Sequence, residues 1–219
     1  MSLEVQGLLI SFAYLFGVVI VGELIRALWR LPSAFTRKFI HIGVGFWGFI
    51  ALRWLPNPWM AVIPPALFIL VNALSFRWTL LKSMEIEDKH NLGTVYYPLS
   101  LSLLILIFWN AHPDVVLVGL LAMTMGDGVA AIVGRRWGRH TYRVWGVKRT
   151  VEGSAAMAVF ALIGIMLALE FSTTLSFSVL MPRAFAIAIL AAFIEGVSPR
   201  GSDNLTVPLG CAVIYSFLF

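Results

Sequence analysis

The chain alternates long apolar runs with short polar connectors. Eight runs have about 17 to 25 residues, the length that an α-helix needs to cross a bilayer. They lie near residues 5–28, 39–55, 58–76, 95–111, 114–134, 152–171, 180–198 and 203–219. The pattern predicts an all-α integral membrane protein, a polytopic bundle of about eight transmembrane helices in a single domain over residues 1–219. Kinks or interruptions are expected at Pro64, Pro65, Pro98 and Pro208.

Composition supports the same fold class and limits the chemistry. Hydrophobic residues make up 60% of the 219 residues and charged residues 12%, which leaves no room for a sizeable soluble domain. The single cysteine, Cys211, excludes an intrachain disulfide and gives no sign of a thiol-ligated metal. The formal net charge is +5, but the basic residues occupy short connectors, so we expect no nucleic-acid partner. No feature of the sequence supports an oligomer.

The basic residues are distributed unevenly between alternate connectors. Only Arg53 and Arg183 fall in the connectors of one set, and the other fourteen fall in the second set or at its helix ends. These fourteen are Arg26, Arg30, Arg37, Lys38, Arg77, Lys82, Lys89, Arg135, Arg136, Arg139, Arg143, Lys148, Arg149 and Arg200. The positive-inside rule then places the fourteen at the cytoplasmic face and both termini on the opposite side.

The stretch from Gly126 to Ser154 concentrates the polar chemistry of the chain. If the run that begins near Val115 continues as a helix, Asp127, Ala131, Gly134 and Gly138 lie on one face. That face carries a carboxylate and little side-chain bulk, so a nucleotide or a neighbouring backbone can come close to it. Six basic residues follow, and they are suited to phosphate oxygens: Arg135, Arg136, Arg139, Arg143, Lys148 and Arg149.

The next apolar run begins with a cap signal. Thr150 is expected to be the N-cap of a helix whose first turn contains Glu152, where the helix dipole favours an anion. Each feature of the stretch also has a simpler explanation. The small face can serve helix packing, the arginines can serve membrane orientation, and Glu152 can be a surface acid that the dipole stabilises.

Three more polar clusters fall on the same predicted side. Arg37 and His41 are four residues apart on a helix and flank Lys38, which suits either a phosphate contact or an interfacial anchor. Asn91 opens a turn-like segment and is either a site residue or part of an ordinary turn. The third cluster supplies oxygen ligands suited to a hard cation: Glu195, Asp203 and Asn204. Asp203 can alternatively be a helix N-cap.

These motifs together resemble a family. The pattern Asp127-x-x-Ala130-x-x-x-Gly134-x-x-x-Gly138, followed by a basic segment and residues 149–154 (RTVEGS), is similar to the CTP-binding segment of membrane lipid-alcohol kinases, the phytol, dolichol and CTP-dependent diacylglycerol kinases. Arg149 occupies a position where the family usually has Lys. The final DNLTVP run, residues 203–208, resembles the phytol kinase branch most, with Ser202 at the position of a frequent second acid.

The resemblance implies roles for individual residues. It implies CTP as phosphoryl donor, Mg²⁺ as cofactor, and a lipid alcohol that stays in the bilayer. The residues expected in catalysis are Asp127, Glu152 and Asp203, and the metal ligands are Asp127, Glu195, Asp203 and Asn204. The residues expected to bind the nucleotide are Arg37, Lys38, His41, Asn91, Gly126, Gly134, Arg135, Arg136, Gly138, Arg139, Lys148, Arg149, Thr150, Gly153 and Ser154.

The functional hypothesis is therefore a single transmembrane kinase domain that phosphorylates an isoprenoid alcohol, such as phytol, geranylgeraniol or a polyprenol, at the cytoplasmic face. The main alternative is a CTP-dependent cytidylyltransferase acting on a lipid phosphate, but its Lys-Asp and Pro-Gly-His-Gly-Gly signatures are missing here. Diacylglycerol kinase activity is a further alternative. A transporter would place its polar residues toward the bilayer midplane, and a structural protein would leave the clustered acids unexplained.

Overall fold

Helices account for most of the computed structural model, which describes residues 2–78, 80–84, 88, 90–171 and 176–218. Lys89 and Phe219, which belong to the predicted charge pattern and the last predicted run, lie outside these residues. The helices are α1 (Leu3–Trp29), α2 (Ser33–Gly45), α3 (Trp47–Trp54), α4 (Pro58–Ala61), α5 (Ile63–Trp78), α6 (Gly93–Phe108), α7 (Pro113–Trp137), α8 (Val151–Glu170), α9 (Phe177–Val197) and α10 (Asp203–Leu218). A short 3₁₀ helix spans Lys82–Met84.

The apolar helices confirm an all-α membrane protein. Within the described ranges, five helical segments are long and apolar enough to cross a bilayer: Leu3–Trp29, Pro58–Trp78, Pro113–Trp137, Val151–Glu170 and Phe177–Val197. Helices α6 and α10 are also apolar but have 16 residues each, about 24 Å at the usual rise per residue. The count of eight spans and the placement of both termini stay predictions.

The helix breaks follow local sequence only in part. Pro64 and Pro65 cannot donate the backbone hydrogen bonds that would continue a helix from α4, and α5 begins beside them. Pro98 and Pro208, in contrast, lie inside α6 and α10 without ending either helix. The second predicted run is divided at Phe46, between α2 and α3, without a proline.

Helix α7 lies at the centre of the bundle. It is buried on every side from Val115 to Thr124 and packs against α2, α3, α6, α8, α9 and α10. Small residues permit the closest of these contacts. A Cβ on Gly119 would collide with the backbone of α10, and one on Gly164 of α8 would collide with the backbone of α7. Because α7 is packed on all sides, Asp127 in its C-terminal half has a fixed position.

The basic connector between α7 and α8 is a β-hairpin, which the sequence analysis did not predict. Strand β1 (Thr141–Val144) pairs with β2 (Val147–Thr150) in antiparallel register, with Tyr142 opposite Arg149. The turn residues Trp145 and Gly146 both have positive φ, as a two-residue type I′ turn requires. The hairpin directs Arg149 toward α9 and α10.

Candidate active site

A single cavity of about 670 Å³ joins two environments. We call them the polar end and the apolar arm. The polar end is lined by residues at helix ends and on the hairpin: Arg37, Lys38, His41, Asn91, Asp127, Arg135, Lys148, Arg149, Thr150, Ser154, Glu195, Arg200, Asp203 and Asn204. The apolar arm is lined by residues further along the helices: Leu15, Val19, Val44, Trp47, Pro65, Phe68 and Leu101. A cavity of this kind suits a ligand pair with one highly charged and one apolar member.

Charge at the polar end is positive overall. Six Lys and Arg side chains line it against the three carboxylates of Asp127, Glu195 and Asp203. Four elements supply the six cations. Helix α2 holds Arg37 and Lys38, α7 holds Arg135, β2 holds Lys148 and Arg149, and the connector before α10 holds Arg200. An excess of fixed cations in a concave site attracts and orients a polyphosphate.

Two ion pairs organise the carboxylates. Lys38 of α2 pairs with Asp127 of α7, and both side chains are largely buried. Arg149 of β2 pairs with Glu195 at the end of α9 and lies 3.6 Å from Asp203 Oδ2 at the start of α10. Its Nη2 also donates to the Ser198 carbonyl at 2.9 Å. Arg149 thus ties the hairpin, α9 and α10 into one unit.

His41 is held beside the first of these pairs. Its Nε2 lies 3.7 Å from Asp127 Oδ2, and its ring packs on Tyr97 with centroids 4.1 Å apart. The Tyr97 hydroxyl in turn lies 2.7 Å from Thr124 Oγ1. Thr124 and Asp127 are on the same helix, so the contacts of Tyr97 fix His41 relative to the carboxylate.

The connectors before α6 and α10 interlock at the polar end. Asn91 Oδ1 accepts a hydrogen bond from the Gly93 amide at 2.9 Å, and Asn204 Nδ2 donates to the Gly201 carbonyl at 3.3 Å. Gly201 has a φ of 82°, and a Cβ at this position would collide with Asn91 Oδ1. Glycine is therefore required at position 201 both for its backbone conformation and for the close approach of Asn91.

We expect Gly201→Ala to lower the free energy of unfolding by about 2 kcal/mol or more, because left-handed strain of about 1 kcal/mol is added to the collision with Asn91. Thermal unfolding in detergent measures the loss. Gly146→Ala is the matched control, since Gly146 has a φ of 78° with nothing within 4 Å of its added Cβ. Equal losses of unfolding free energy in the two variants would show that the close approach of Asn91 to Gly201 does not contribute to stability.

Most of the residues predicted from the sequence meet at this cavity. Those that line it are Arg37, Lys38, His41, Asn91, Asp127, Gly134, Arg135, Gly138, Lys148, Arg149, Thr150, Gly153, Ser154, Glu195, Asp203 and Asn204. Thr150 is the N-cap predicted for α8, since its Oγ1 accepts from the Gly153 amide at 3.1 Å. Asp203 is the first residue of α10.

Four predicted site residues are not among those that line the cavity: Gly126, Arg136, Arg139 and Glu152. A Cβ on Gly126 would collide with Met157 of α8, so this glycine serves helix packing. Arg136 and Arg139 are exposed to solvent. Glu152 accepts from His140, whose Nδ1 lies 2.8 Å from Glu152 Oε1, and the contact closes the base of the hairpin. The catalytic role of Glu152 stays a prediction that this geometry does not support.

The small face of α7 is used for a close backbone approach. A Cβ on Gly134 would lie 2.9 Å from Thr150 Oγ1, and a Cβ on Gly153 would lie 3.4 Å from the Gly134 Cα. The N-terminus of α8 therefore takes the space that this face leaves. Gly134, Gly138 and Gly153 still line the cavity beside it.

The carboxylates fit a metal that arrives with a nucleotide better than a metal held by the protein alone. No group of three or more His, Cys, Asp or Glu side chains in the described ranges is spaced to hold an ion. Asp127 and Asp203 nevertheless line one cavity. Mg²⁺ commonly takes one or two carboxylates and completes its shell with phosphate oxygens and water, and this pair suits that arrangement.

The sequence analysis missed several residues of the cavity. Arg200 lines the polar end, and the apolar arm is added by residues of α1, α2, α3, α5 and α6. Asn72 lies in the middle of an apolar helix and is buried. A buried amide in a membrane span was the available signal, since intramembrane polar residues commonly mark functional sites.

Comparison with known proteins identifies the family to which this chain belongs. A phytol kinase of Synechocystis sp. is 38% identical over 208 residues, which cover 94% of this chain and 88% of that protein. This chain belongs to the phytol kinase family. A probable chloroplastic phytol kinase of Glycine max is 30% identical over 86% of this chain and 68% of its own length.

The match to a wider group of lipid-alcohol kinases is more local. A dolichol kinase of Schizosaccharomyces pombe is 31% identical over 102 residues, covering 47% of this chain and 19% of that protein. No protein-family model and no solved structure matches the chain. Membership of the phytol kinase family confirms the resemblance that the Asp127 to Ser154 motif and the final DNLTVP run indicated.

Proposed function

We propose that this phytol kinase family member transfers the γ-phosphoryl group of CTP to the hydroxyl of an isoprenoid alcohol at the cytoplasmic face of the membrane. The observation that carries the proposal is the cavity, in which a cation-rich polar end continues into an apolar arm between membrane helices. A nucleotide fits the first environment and a lipid tail fits the second. The relatives named phytol kinase and dolichol kinase support the same reaction class.

The polar end supplies the means of holding the phosphates. Lys148 is exposed at the cavity, and Arg135 lies there with its guanidinium fixed by the carbonyls of Ala131 and Ala34, at 3.0 and 3.2 Å. Arg200 borders the same space on the α10 side. Phosphoryl transfer depends mainly on alignment and on neutralisation of developing charge, so fixed cations around the phosphates are an appropriate catalyst.

The Lys38–Asp127 pair must exchange partners when substrates bind. A carboxylate paired with an ammonium group is a weak base, but incoming phosphates offer Lys38 a stronger anionic partner. Asp127 is then available for the proton of the alcohol. Asp127 and Asp203 are the residues that would hold Mg²⁺, which neutralises phosphate charge when it is bound.

The transfer step follows from this arrangement. The alcohol oxygen attacks the γ-phosphorus, and a carboxylate, which we assign as Asp127, accepts the hydroxyl proton. The bond between the γ-phosphorus and the β–γ bridging oxygen breaks, and its electron pair leaves with CDP. The products are a lipid monophosphate and CDP, with no covalent enzyme intermediate.

Product analysis tests the proposal. Purified protein in lipid nanodiscs is given CTP or ATP with phytol, geranylgeraniol, a polyprenol or diacylglycerol, and CDP, ADP and pyrophosphate are measured. We expect CDP and an isoprenoid monophosphate. Release of pyrophosphate with a lipid phosphate as substrate would indicate a cytidylyltransferase instead, and a preference for diacylglycerol or ATP would overturn the acceptor or donor assignment.

A further inference from the structure

Asn72 lies where the apolar arm meets the polar end. It is 5% exposed and lines the cavity together with Phe68 and Pro65, which precede it by one and two turns on α5. The three residues share one helix face. Phe68 and Pro65 belong to the apolar arm, and Thr94, which Asn72 contacts, is next to Gly93 of the interlock at the polar end.

A proline on the neighbouring helix fixes the orientation of the Asn72 amide. The Thr94 carbonyl would normally accept from the backbone N–H four residues later, but that residue is Pro98 and has no N–H. Asn72 Nδ2 donates to this carbonyl at 2.7 Å. A carbonyl only accepts hydrogen bonds, so the nitrogen must face Thr94 and the amide oxygen must face elsewhere.

The amide oxygen is left as an acceptor. Asn72 Oδ1 is buried and has no hydrogen-bond partner among the described residues. A buried acceptor without a donor is unfavourable, and a ligand hydroxyl is a suitable donor for it. The remaining lining on the same face of α5 is hydrocarbon, which suits the tail attached to such a hydroxyl.

We propose that Asn72 Oδ1 accepts a hydrogen bond from the hydroxyl of a long-chain lipid alcohol whose tail lies in the apolar arm against Phe68 and Pro65. This inference rests on the proposed function, because it names the acceptor subsite of the same cavity. A hydroxyl has a single proton, which must leave Asn72 and reach the base when transfer occurs. The contact therefore stabilises the bound alcohol in the ground state, and its loss raises KM for the alcohol and not KM for the nucleotide.

The structural role of Asn72, its hydrogen bond to the Thr94 carbonyl, can be separated from this binding role. Pro98→Ala restores a backbone N–H at position 98, which can bond to the Thr94 carbonyl within α6. In that background Asn72→Leu removes the acceptor oxygen without leaving the carbonyl unpaired. Pro98→Ala alone is the reference for every comparison, and Asn72→Asp in the same background is the rescue variant because it keeps an acceptor oxygen.

A direct measurement of alcohol binding tests the proposal without depending on phosphoryl transfer. Phytol and the hydrocarbon that lacks its hydroxyl compete with a photoreactive alkyl alcohol in nanodiscs, with no nucleotide present. Against Pro98→Ala, adding Asn72→Leu is expected to weaken phytol about tenfold, as for loss of one hydrogen bond, and to leave the hydrocarbon unchanged. Asn72→Asp is expected to retain phytol affinity, and melting temperatures confirm that each variant is folded.

The outcomes separate this inference from the proposed function. Equal loss for phytol and the hydrocarbon, or no loss for phytol, would overturn the role of Asn72, and so would failure of the wild-type protein to bind phytol. In kinetic assays the KM for phytol should rise about tenfold and kcat should rise with it, because the lost contact is absent from the transition state, while kcat/KM for phytol and the KM for CTP change little. Absence of CDP with normal phytol binding would overturn the proposed reaction and leave the Asn72 result standing.

Discussion

Replacing Asp127 with Asn is expected to lower kcat about a thousandfold while the protein still folds. Asparagine has nearly the same shape but cannot accept the alcohol proton, and a positioned general base contributes about 10²- to 10⁴-fold. The loss of a carboxylate from the Asp127 and Asp203 pair adds to this effect if the two hold the metal together. CDP formation under saturating CTP and alcohol measures kcat.

Folding must be measured in the same variant because Lys38 loses its partner. Removing one member of a buried ion pair can cost about 3 to 5 kcal/mol, but the Lys38 side chain is 12% exposed and has a flexible stem that reaches toward water. Lys38→Met combined with Asp127→Asn removes the uncompensated charge, and we expect it to restore the melting temperature without restoring activity.

Asp114→Asn is the matched control for Asp127→Asn. Asp114 is the other aspartate of α7, lies in the first turn of that helix, and accepts from the Tyr215 hydroxyl at 2.6 Å. It is not among the residues that line the cavity. We expect its variant to change stability without a comparable change in kcat. Full activity of Asp127→Asn would refute the assigned role of this carboxylate.

The sequence was sufficient to predict most of the charged residues that meet at the cavity, because they stand in or near the connectors between apolar runs. Asp127, Glu195 and Asp203 were each recognisable as acids within or at the start of an apolar run, and the structure places all three on one cavity. The N-cap role of Thr150 was also predictable, because a cap depends on residues that are close in sequence. These features are local, or follow from the spacing of runs across a bilayer.

Partner choice among the charged residues was not predictable. The sequence analysis assigned Lys38 and Arg149 to phosphate binding, whereas the structure pairs them with Asp127 and Glu195. Which cation meets which acid depends on helix packing and on the hairpin register. The hairpin itself was missed because its strands have four residues each and carry charged side chains in place of a regular apolar alternation.

The apolar arm could not be predicted from the sequence, for a different reason. Its lining residues are hydrophobic residues within hydrophobic helices, and they do not differ in type from those that face lipid. Phe68 lines the arm while Leu70, two positions later on the same helix, is 61% exposed. Only the rotation and packing of α5 decide which of the two meets a ligand, and neither is encoded by a short motif.

Arg149→Lys is expected to lower kcat/KM for CTP about a hundredfold, although it keeps the charge. The guanidinium of Arg149 contacts Glu195, Asp203 and the Ser198 carbonyl at once. An ammonium group is a compact donor that cannot reproduce this planar set of contacts. Charge-assisted hydrogen bonds contribute about 1.5 to 3 kcal/mol each, so the loss of one or two accounts for an effect of this size.

The physical reason is the position of the hairpin. Arg149 is the point at which β2 is fixed to α9 and α10, and the neighbouring Lys148 lines the cavity from the same strand. When the attachment is weakened, Lys148 is no longer held at the place where phosphates are expected, and the buried Glu195 keeps a cationic neighbour but loses the planar guanidinium contact. We therefore expect KM for CTP to rise and kcat to fall together, while KM for the alcohol changes less.

Arg143→Lys is the matched control because Arg143 lies on the paired strand, opposite Lys148, and is exposed. Arg143→Lys should stay within about twofold of the wild-type kcat/KM. Arg143 is exposed, and the substitution retains its positive charge. Glu195→Gln and the double variant complete a thermodynamic cycle, and a coupling energy above about 1 kcal/mol is expected for residues in direct contact. Independent effects of Arg149→Lys and Glu195→Gln would show that the hairpin is held by other contacts and that Arg149 acts on the nucleotide directly.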